Sequence, residues 1–329
     1  MAYNAEEINK AAQEEAKFFQ RVKKEVGKVI VGQEYMIDRL IIGLVSHEHI
    51  LLEGVPGLAK TLCVKTLADV MHLQFSRIQF TPDLLPADLV GTVMYNQRTN
   101  EFTAKKGPIF GNIVLADEIN RSPAKVQSAL LQAMQERQVT LGDETHPLAH
   151  PFLVLATMNP IEMDGTYSLP EAQLDRFMMK IGITYPNFNE EKEIVRRMAV
   201  DRPIELEKVF HPEEIEKASN FIDEVHIEER LEEYILKIIF ASRKPEEAGL
   251  SELSRIVEYG VSPRGSVFLN KAARAYAFLN GRGYVIPEDV KTMARDVMRH
   301  RLILSYEAEA EGITQDAVVE KILAKVEVP

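Results

Sequence analysis

One stretch of the chain, residues 51–61, has the residue types and spacing of a phosphate-binding loop. Its sequence, LLEGVPGLAKT, combines an apolar run, a loop with Gly54 and Gly57, and Lys60-Thr61 at the start of a helical pattern. Glycines let a backbone approach phosphate closely, and the first N–H groups of a helix can bind it. In the pattern GxxxxGK(S/T) the lysine contacts the β- and γ-phosphates and the hydroxyl binds Mg²⁺. The stretch predicts a nucleotide site, although an ordinary glycine turn would also explain the loop alone.

One position of this loop departs from the pattern. A glycine usually precedes the lysine, whereas this chain has Ala59. An alanine is tolerable there if it already has right-handed helical dihedrals, as the residue that opens a helix would. We therefore expect helical dihedrals at Ala59.

Two consecutive carboxylates, Asp117 and Glu118, end a second apolar run, NIVLADE, about 55 residues after the loop. Phosphate hydrolysis needs one carboxylate near Mg²⁺ and another that orients and polarises the attacking water. We assign the first role to Asp117 and the second to Glu118. Two surface acids at a strand end are the alternative.

Asn159 follows a third apolar run, FLVLAT. A parallel sheet would bring its amide to the edge that holds the phosphates, where it could position the water. An asparagine before a proline is also a good turn residue, so the assignment is not unique.

Arginines supply the remaining chemistry. A guanidinium delivered by a second domain or a neighbouring subunit can stabilise the charge of a transferring phosphoryl group. Arg176 in LDRF and Arg264 in SPRG are the candidates, and Arg121 is a weaker one. Each could instead be a surface salt-bridge partner.

The elements that would position these residues follow an alternating order. Apolar β-rich runs alternate with helical patterns up to about residue 185, and helical patterns alone follow. This order predicts an α/β fold, a P-loop αβα core with a five-stranded, mostly parallel sheet, followed by an all-α helical lid domain. We place the core at 1–186, with hairpin insertions near 92–106 and 138–149, and the lid at 187–329.

Composition excludes several classes of protein. The 329 residues are 46% hydrophobic and carry a net charge of −11. No apolar run approaches the ~20 residues of a membrane span, and the polar N-terminus is unlike a secretory signal, so we expect a cytoplasmic protein. The acidic balance lacks the basic footprint of a dedicated nucleic-acid binder.

The ordered motifs resemble one family. GVPGLAKT, LADEINRSPAKVQSALLQAMQE, ATMNP, EAQLDRF and GVSPRG closely resemble the MoxR family of AAA+ ATPases over nearly the whole chain. Phosphate loops of that family resemble this chain at the position of Ala59. The resemblance implies ATP and Mg²⁺ as cofactors, sensor 1 at Asn159, an arginine finger at Arg176 and sensor 2 at Arg264. It implies a Walker B motif at Asp117 and Glu118, with Asp117 and Thr61 as magnesium ligands. Nucleotide contacts are implied for Val31, Gly32 and Gln33 around adenine, and for Gly54, Val55, Pro56, Gly57, Leu58, Ala59, Lys60, Thr61 and Leu62.

The same resemblance implies partners. Subunits would assemble as a ring, with a hexamer expected, and both hairpins would point toward a central pore. Hydrolysis would drive chaperone-like remodelling or maturation of protein clients, among them proteins with von Willebrand factor A domains. Two alternatives stay open: an ATP-dependent nucleic-acid motor, and a nucleotide-gated binding module with little hydrolysis.

Overall fold

The computed structural model describes residues 5–55, 57–98, 100–158, 167, 169–199, 204–209 and 212–329. Within it the chain forms two compact units. One unit contains Gln20–Arg176 and Ile181–Glu216, and the other contains the chain up to Phe19, Phe177–Lys180 and Lys217–Pro329. The predicted division into a core and a lid at residue 186 stays a prediction.

The strands are β1 (Ile50–Glu53), β2 (Phe75–Gln79), β3 (Gly91–Asn96), β4 (Glu101–Lys106), β5 (Ile113–Asp117), β6 (Gln138–Leu141), β7 (Glu144–Pro147), β8 (Leu153–Met158), β9 (Met179–Gly182), β10 (Val257–Tyr259) and β11 (Ile303–Leu304). The α-helices are α1 (Ala5–Val29), α2 (Glu34–Val45), α3 (Lys60–Val70), α4 (Pro86–Val90), α5 (Ala124–Glu136), α6 (Glu171–Leu174), α7 (Phe188–Met198), α8 (Pro212–Glu224), α9 (Glu229–Arg243), α10 (Pro263–Leu279), α11 (Pro287–Met298), α12 (Tyr306–Ala310) and α13 (Gln315–Lys325). Short 3₁₀ helices occupy Pro108–Phe110, Ile119–Arg121 and Ser251–Arg255.

The main sheet has five strands in the order β2-β5-β8-β1-β9. The pairs β2–β5, β5–β8 and β8–β1 are parallel. Central strands of a parallel sheet are covered on both faces, which explains why IVLA of β5 and LVLAT of β8 are continuously buried apolar runs. The predicted fold class is confirmed.

Two antiparallel hairpins occur at the predicted insertions. In the first, β3 pairs with β4 from Gly91↔Lys106 to Asn96↔Glu101. In the second, β6 pairs with β7, and the turn between them contains Gly142 with φ +62°. Two hairpins are therefore added to the parallel sheet.

The other unit is built mainly from α9, α10, α11 and α13, whose apolar faces form its core. Asp289, 1% exposed, receives two hydrogen bonds of 2.6 Å from the Arg282 guanidinium, which neutralises the buried carboxylate. This unit also contains a short antiparallel ladder between β10 and β11. Strands of three and two residues are too short to show a periodicity in the sequence.

Among the helices of the described residues, none combines the length and the apolar character needed to cross a bilayer. The expected cytoplasmic location stays a prediction.

Candidate functional site

The sheet topology brings three parallel strand ends together. β8 lies between β1 and β5, with Leu52 opposite Thr157 and Ala116 opposite Ala156. The loop after β1 and the carboxylates at the end of β5 therefore reach the same edge of the sheet, where ligands of open α/β sheets bind. This topology places the predicted phosphate loop and Asp117 at the same edge of the sheet.

The phosphate loop leads directly into α3. Lys60 Nζ donates a hydrogen bond of 2.7 Å to the Gly54 carbonyl and so spans the loop. Burial lowers the pKa of the Lys60 ammonium, while the negative charges of Asp117 and Glu118 act in the opposite direction. The first N–H groups of α3, on Lys60, Thr61 and Leu62, belong to the turn that has no intrahelical acceptor. This combination of a cation and open backbone donors suits a polyphosphate.

Ala59 differs from the expectation for its backbone. Its φ and ψ are +54° and +23°, which is the left-handed region and not the right-handed helical region. The predicted helical dihedrals are wrong because Ala59 is the N-cap of α3 and its backbone still belongs to the loop. A glycine adopts this conformation without the Cβ penalty, whereas an alanine has a cost of about 1–2 kcal/mol.

The two carboxylates are held by a residue that the sequence motifs did not select. Thr157 Oγ1 donates to Asp117 Oδ1 at 2.6 Å and accepts from the Glu118 backbone N–H at 2.8 Å. Thr157 is 1% exposed, and Glu118 has a left-handed backbone with φ +58°. One buried hydroxyl thus fixes the Asp117 carboxylate and the backbone at Glu118.

Three further side chains contact the carboxylates. Arg77 Nη2 and Nε lie 2.6 and 3.2 Å from Asp117 Oδ2. Gln79 Nε2 donates to Glu118 Oε2 at 3.0 Å, and Arg121 Nη1 lies 3.1 Å from the same oxygen. Arg121 therefore pairs with Glu118 in its own chain. The alternation of LQFSRIQF places Arg77 and Gln79 on one face of β2, and this was the available sequence signal for them.

Arg77, Gln79, Thr157 and the two carboxylates line a cleft of about 450 Å³. Its lining includes, among the predicted nucleotide residues, Gly54, Gly57, Leu58, Ala59, Lys60, Thr61, Leu62, Asp117 and Glu118. A hydroxyl and a carboxylate are the hard oxygen ligands that Mg²⁺ takes when it also binds substrate phosphates, so Thr61 and Asp117 fit that ion. The cleft has the size and polarity of a nucleotide phosphate site.

Comparisons with known proteins give the same assignment. A model of the ATPase family associated with various cellular activities (AAA) matches residues 49–179, and an AAA lid domain model matches residues 252–322. Chaperone MoxR1 of Mycobacterium tuberculosis is 48% identical, over 93% of this chain and 81% of that protein. The chain belongs to the MoxR family of AAA+ ATPases. It is an ATP hydrolase.

Two more comparisons extend over nearly the full length. Protein MoxR of Methylorubrum extorquens is 30% identical, over 91% of this chain and 92% of that protein. A crystal structure from Cytophaga hutchinsonii, of a protein provisionally described as an ATPase, has 54% identity and a TM-score of 0.93. It covers 99% of this chain and 98% of its own. The fold of this MoxR-family chain is thus shared throughout with a solved structure.

Two of the three residues predicted around adenine line a different cavity of this MoxR-family chain. Val31 and Gly32 line a volume of about 500 Å³ together with α1 and Arg197. Gly32 and Gln33 both have positive φ, and the Gln33 amide donates to the Thr184 carbonyl at 3.1 Å. The adenine role of these three residues stays a prediction.

The two remaining predicted arginines belong to different units of the chain. Arg176 Nη1 donates to the Leu131 carbonyl of α5 at 3.0 Å. Arg264 lies in the other unit, in the first turn of α10, after Ser262 at the N-cap and Pro263 at the first helical position. Pro56 and Asn159 lie outside the described residues.

Proposed function

We propose that this MoxR-family ATPase couples Mg–ATP hydrolysis to the remodelling or maturation of protein clients. The observation that carries the proposal is the cleft in which Thr157 fixes Asp117 and Glu118 next to the phosphate loop. Electrostatic stabilisation by positioned donors and cations accounts for most catalysis of phosphoryl transfer. This cleft supplies such groups.

In the proposed mechanism the phosphate loop and the N-terminus of α3 bind the phosphates. Lys60 moves from the Gly54 carbonyl to the β- and γ-phosphates, and Glu118 orients the attacking water. A bound Mg²⁺, held by Thr61 and Asp117, would neutralise charge on the phosphate oxygens. Asn159 is proposed as a second group that positions the water.

The proposed assembly is a ring, with a hexamer expected. Arg176 would then contribute a guanidinium to the neighbouring subunit's nucleotide, and Arg264 would sense the nucleotide from the lid. These roles rest on the motifs that contain the two arginines.

The surface of the first hairpin favours a protein as the client. Its most exposed large apolar side chains are Met94, Tyr95 and Phe102, at 50, 51 and 74% exposure, and Val93 is 36% exposed. Tyr95 and Phe102 are cross-strand partners with ring centroids 5.2 Å apart. An exposed apolar surface of this kind is typical of a protein contact, and the M. tuberculosis relative is named a chaperone. Proteins with von Willebrand factor A domains remain the proposed clients.

The first test replaces the catalytic carboxylate. Glu118→Gln should lower turnover by about 100-fold or more, in the range of general-base losses, while ATP affinity is retained. Malachite-green phosphate release and fluorescent nucleotide binding measure the two properties. If the assembled parent protein itself shows no turnover, the nucleotide-gated binding module replaces this proposal.

The second test identifies the client class. The Glu118→Gln protein with ATP should retain clients from a lysate of the source cell, and the double variant with Phe102→Ser should retain several-fold less. The control is Glu118→Gln with Glu101→Gln, a polar change on the same strand. Equal capture by all three would remove the first hairpin from the client site.

A third measurement addresses the nucleic-acid motor. Titration with single- and double-stranded DNA at increasing salt should show only weak binding without ATPase stimulation, because the first hairpin offers only Arg98, Lys105 and Lys106 as basic residues. Tight DNA binding that stimulates hydrolysis would favour the motor.

A further inference from the structure

Arg77 places a cation on the carboxylate that is proposed to hold magnesium. Its Nη2 and Nε lie 2.6 and 3.2 Å from Asp117 Oδ2, and Nη2 also donates to Gln79 Oε1 at 3.0 Å. The Arg77 side chain is 48% exposed and the Asp117 side chain 15% exposed. The guanidinium therefore covers this carboxylate from the open side of the cleft.

A metal ion and Arg77 would have to use the same oxygen of Asp117, Oδ2. The other oxygen, Oδ1, accepts a 2.6 Å hydrogen bond from Thr157, which is 1% exposed and lies on the buried side. A carboxylate oxygen offers about two acceptor sites, and the two N–H groups of Arg77 take both on Oδ2. An ion that enters from the cleft would have to displace at least one of them.

The strand register makes this contact a fixed feature of the cleft. Gln79 is opposite Asp117 and Arg77 is opposite Leu115 in the β2–β5 pair. Arg77 and Gln79 lie on the exposed face of β2, while Ile78 between them is buried. Gln79 holds Glu118 from this face, so adjacent side chains of one strand contact both carboxylates.

We propose that Arg77 is a resident counter-cation of Asp117, which magnesium–nucleotide displaces on binding. The inference rests on the proposed function, with Asp117 as the magnesium ligand. Two opposite effects follow from one charge. Without Mg²⁺, Arg77 neutralises Asp117 and lets phosphates approach; with Mg²⁺, Arg77 competes with the ion. Arg77 is thus a positioning residue that reduces the metal dependence of nucleotide binding.

The test is a nucleotide titration of the full chain with and without metal. Fluorescent mant-ADP is titrated in EDTA and at a series of Mg²⁺ concentrations, with the parent and with Arg77→Gln. We expect Arg77→Gln to bind mant-ADP more weakly in EDTA. We also expect it to need a lower Mg²⁺ concentration for the half-maximal effect of the metal on Kd. The ratio of Kd in EDTA to Kd in saturating Mg²⁺ should rise about two- to fivefold, the scale of a partly exposed ion pair.

Two control variants accompany this change. Arg77→Lys keeps a positive charge and should keep a ratio closer to the parent, and Arg98→Gln removes a positive charge at the first hairpin and should leave the ratio unchanged. An Arg77→Gln ratio equal to or below that of the parent would overturn the inference, whether or not both Kd values shift together. A parent that binds no mant-ADP under either condition would instead overturn the proposed function, and the inference with it.

Discussion

Thr157 connects the two carboxylates of the proposed catalytic site through a single hydroxyl. It gives one hydrogen bond to Asp117 Oδ1 and accepts one from the Glu118 N–H, at 2.6 and 2.8 Å. Thr157→Val keeps the shape and the buried methyl group but removes both bonds. Leaving buried polar partners unsatisfied costs about 1–3 kcal/mol, so we expect a lower Tm and about tenfold lower kcat at similar KM.

Thr157→Ser is the matched control, because it restores the hydroxyl without the methyl group. Differential scanning fluorimetry and steady-state phosphate release measure both variants. A valine variant with parental kcat would show that Thr157 supports the fold and does not position Glu118.

Ala59 offers a prediction about the phosphate loop itself. Because its φ is +54°, Ala59→Gly relieves the Cβ penalty, and the extra entropy of a glycine in the unfolded chain offsets part of the gain. We expect a free energy of unfolding within about 1 kcal/mol of the parent and retained nucleotide binding. Ala59→Val should be destabilised by about 1–2 kcal/mol or more, since β-branched residues fit this region poorly. Thermal unfolding with and without ADP measures both, and equal stability of the glycine and valine variants would contradict the strain.

At the scale of the elements, the buried His49, which directly precedes β1, contacts both β8 and α5. His49 Nδ1 accepts from the Val154 N–H at 3.0 Å, and Nε2 lies 3.1 Å from the Met134 carbonyl. These partners suit the neutral tautomer that carries its proton on Nε2. Desolvation by burial lowers the pKa of His49 to about 4, with a smaller contribution from the Arg137 charge.

This depressed pKa predicts a loss of stability in mild acid. Above pH 6.5 the histidine is neutral in both states, whereas below it the unfolded chain binds a proton that the folded chain resists. Stability attributable to His49 should fall by about 2 kcal/mol between pH 7.5 and pH 5.

Urea unfolding of the parent and of His49→Gln at the two pH values measures this effect. The glutamine variant should lose about 2 kcal/mol less on acidification than the parent, and the exposed-site control His72→Asn should behave like the parent. His300 is partly buried and its pKa is also lowered, first by desolvation and then by the Arg301 charge, so part of the acid sensitivity should remain. Identical pH dependence in the parent and in His49→Gln would exclude His49 as a source.

At the scale of the whole molecule, the proposed ring makes Arg176 a residue that acts in a neighbouring subunit. In its own chain the guanidinium donates to Leu131 of α5. If Arg176 completes the adjacent site, a single Arg176→Ala subunit disables its neighbour, and ATPase activity of mixed rings should fall more steeply than the fraction of variant subunits. Removal of an arginine finger typically costs about 10³-fold or more in kcat.

The measurement mixes parent and variant subunits at fixed total concentration and follows phosphate release. Arg196→Ala, a change in an exposed arginine of α7, should give full activity at every ratio. A strictly proportional decline with Arg176→Ala would remove Arg176 from the finger role and leave it as a contact to α5.

The sequence by itself determined the fold class and predicted the phosphate loop and the pair Asp117-Glu118. These features are local, because a loop motif, an apolar strand and consecutive carboxylates are each recorded by neighbouring residues. The order of five strand signals followed by helices was sufficient for the parallel sheet, which the structure has. The two hairpins were also predictable, since each has two short strand patterns around a polar turn.

Only the tertiary structure decided what surrounds the carboxylates. Thr157 reaches Asp117 because β8 inserts between β1 and β5, and Arg77 reaches it because β2 pairs with β5 in one register. Strand order and register depend on packing between segments far apart in sequence, so no local pattern specifies them. The left-handed backbone of Ala59 has the same origin: the position of α3 against the sheet fixes the loop, and the alanine accommodates it.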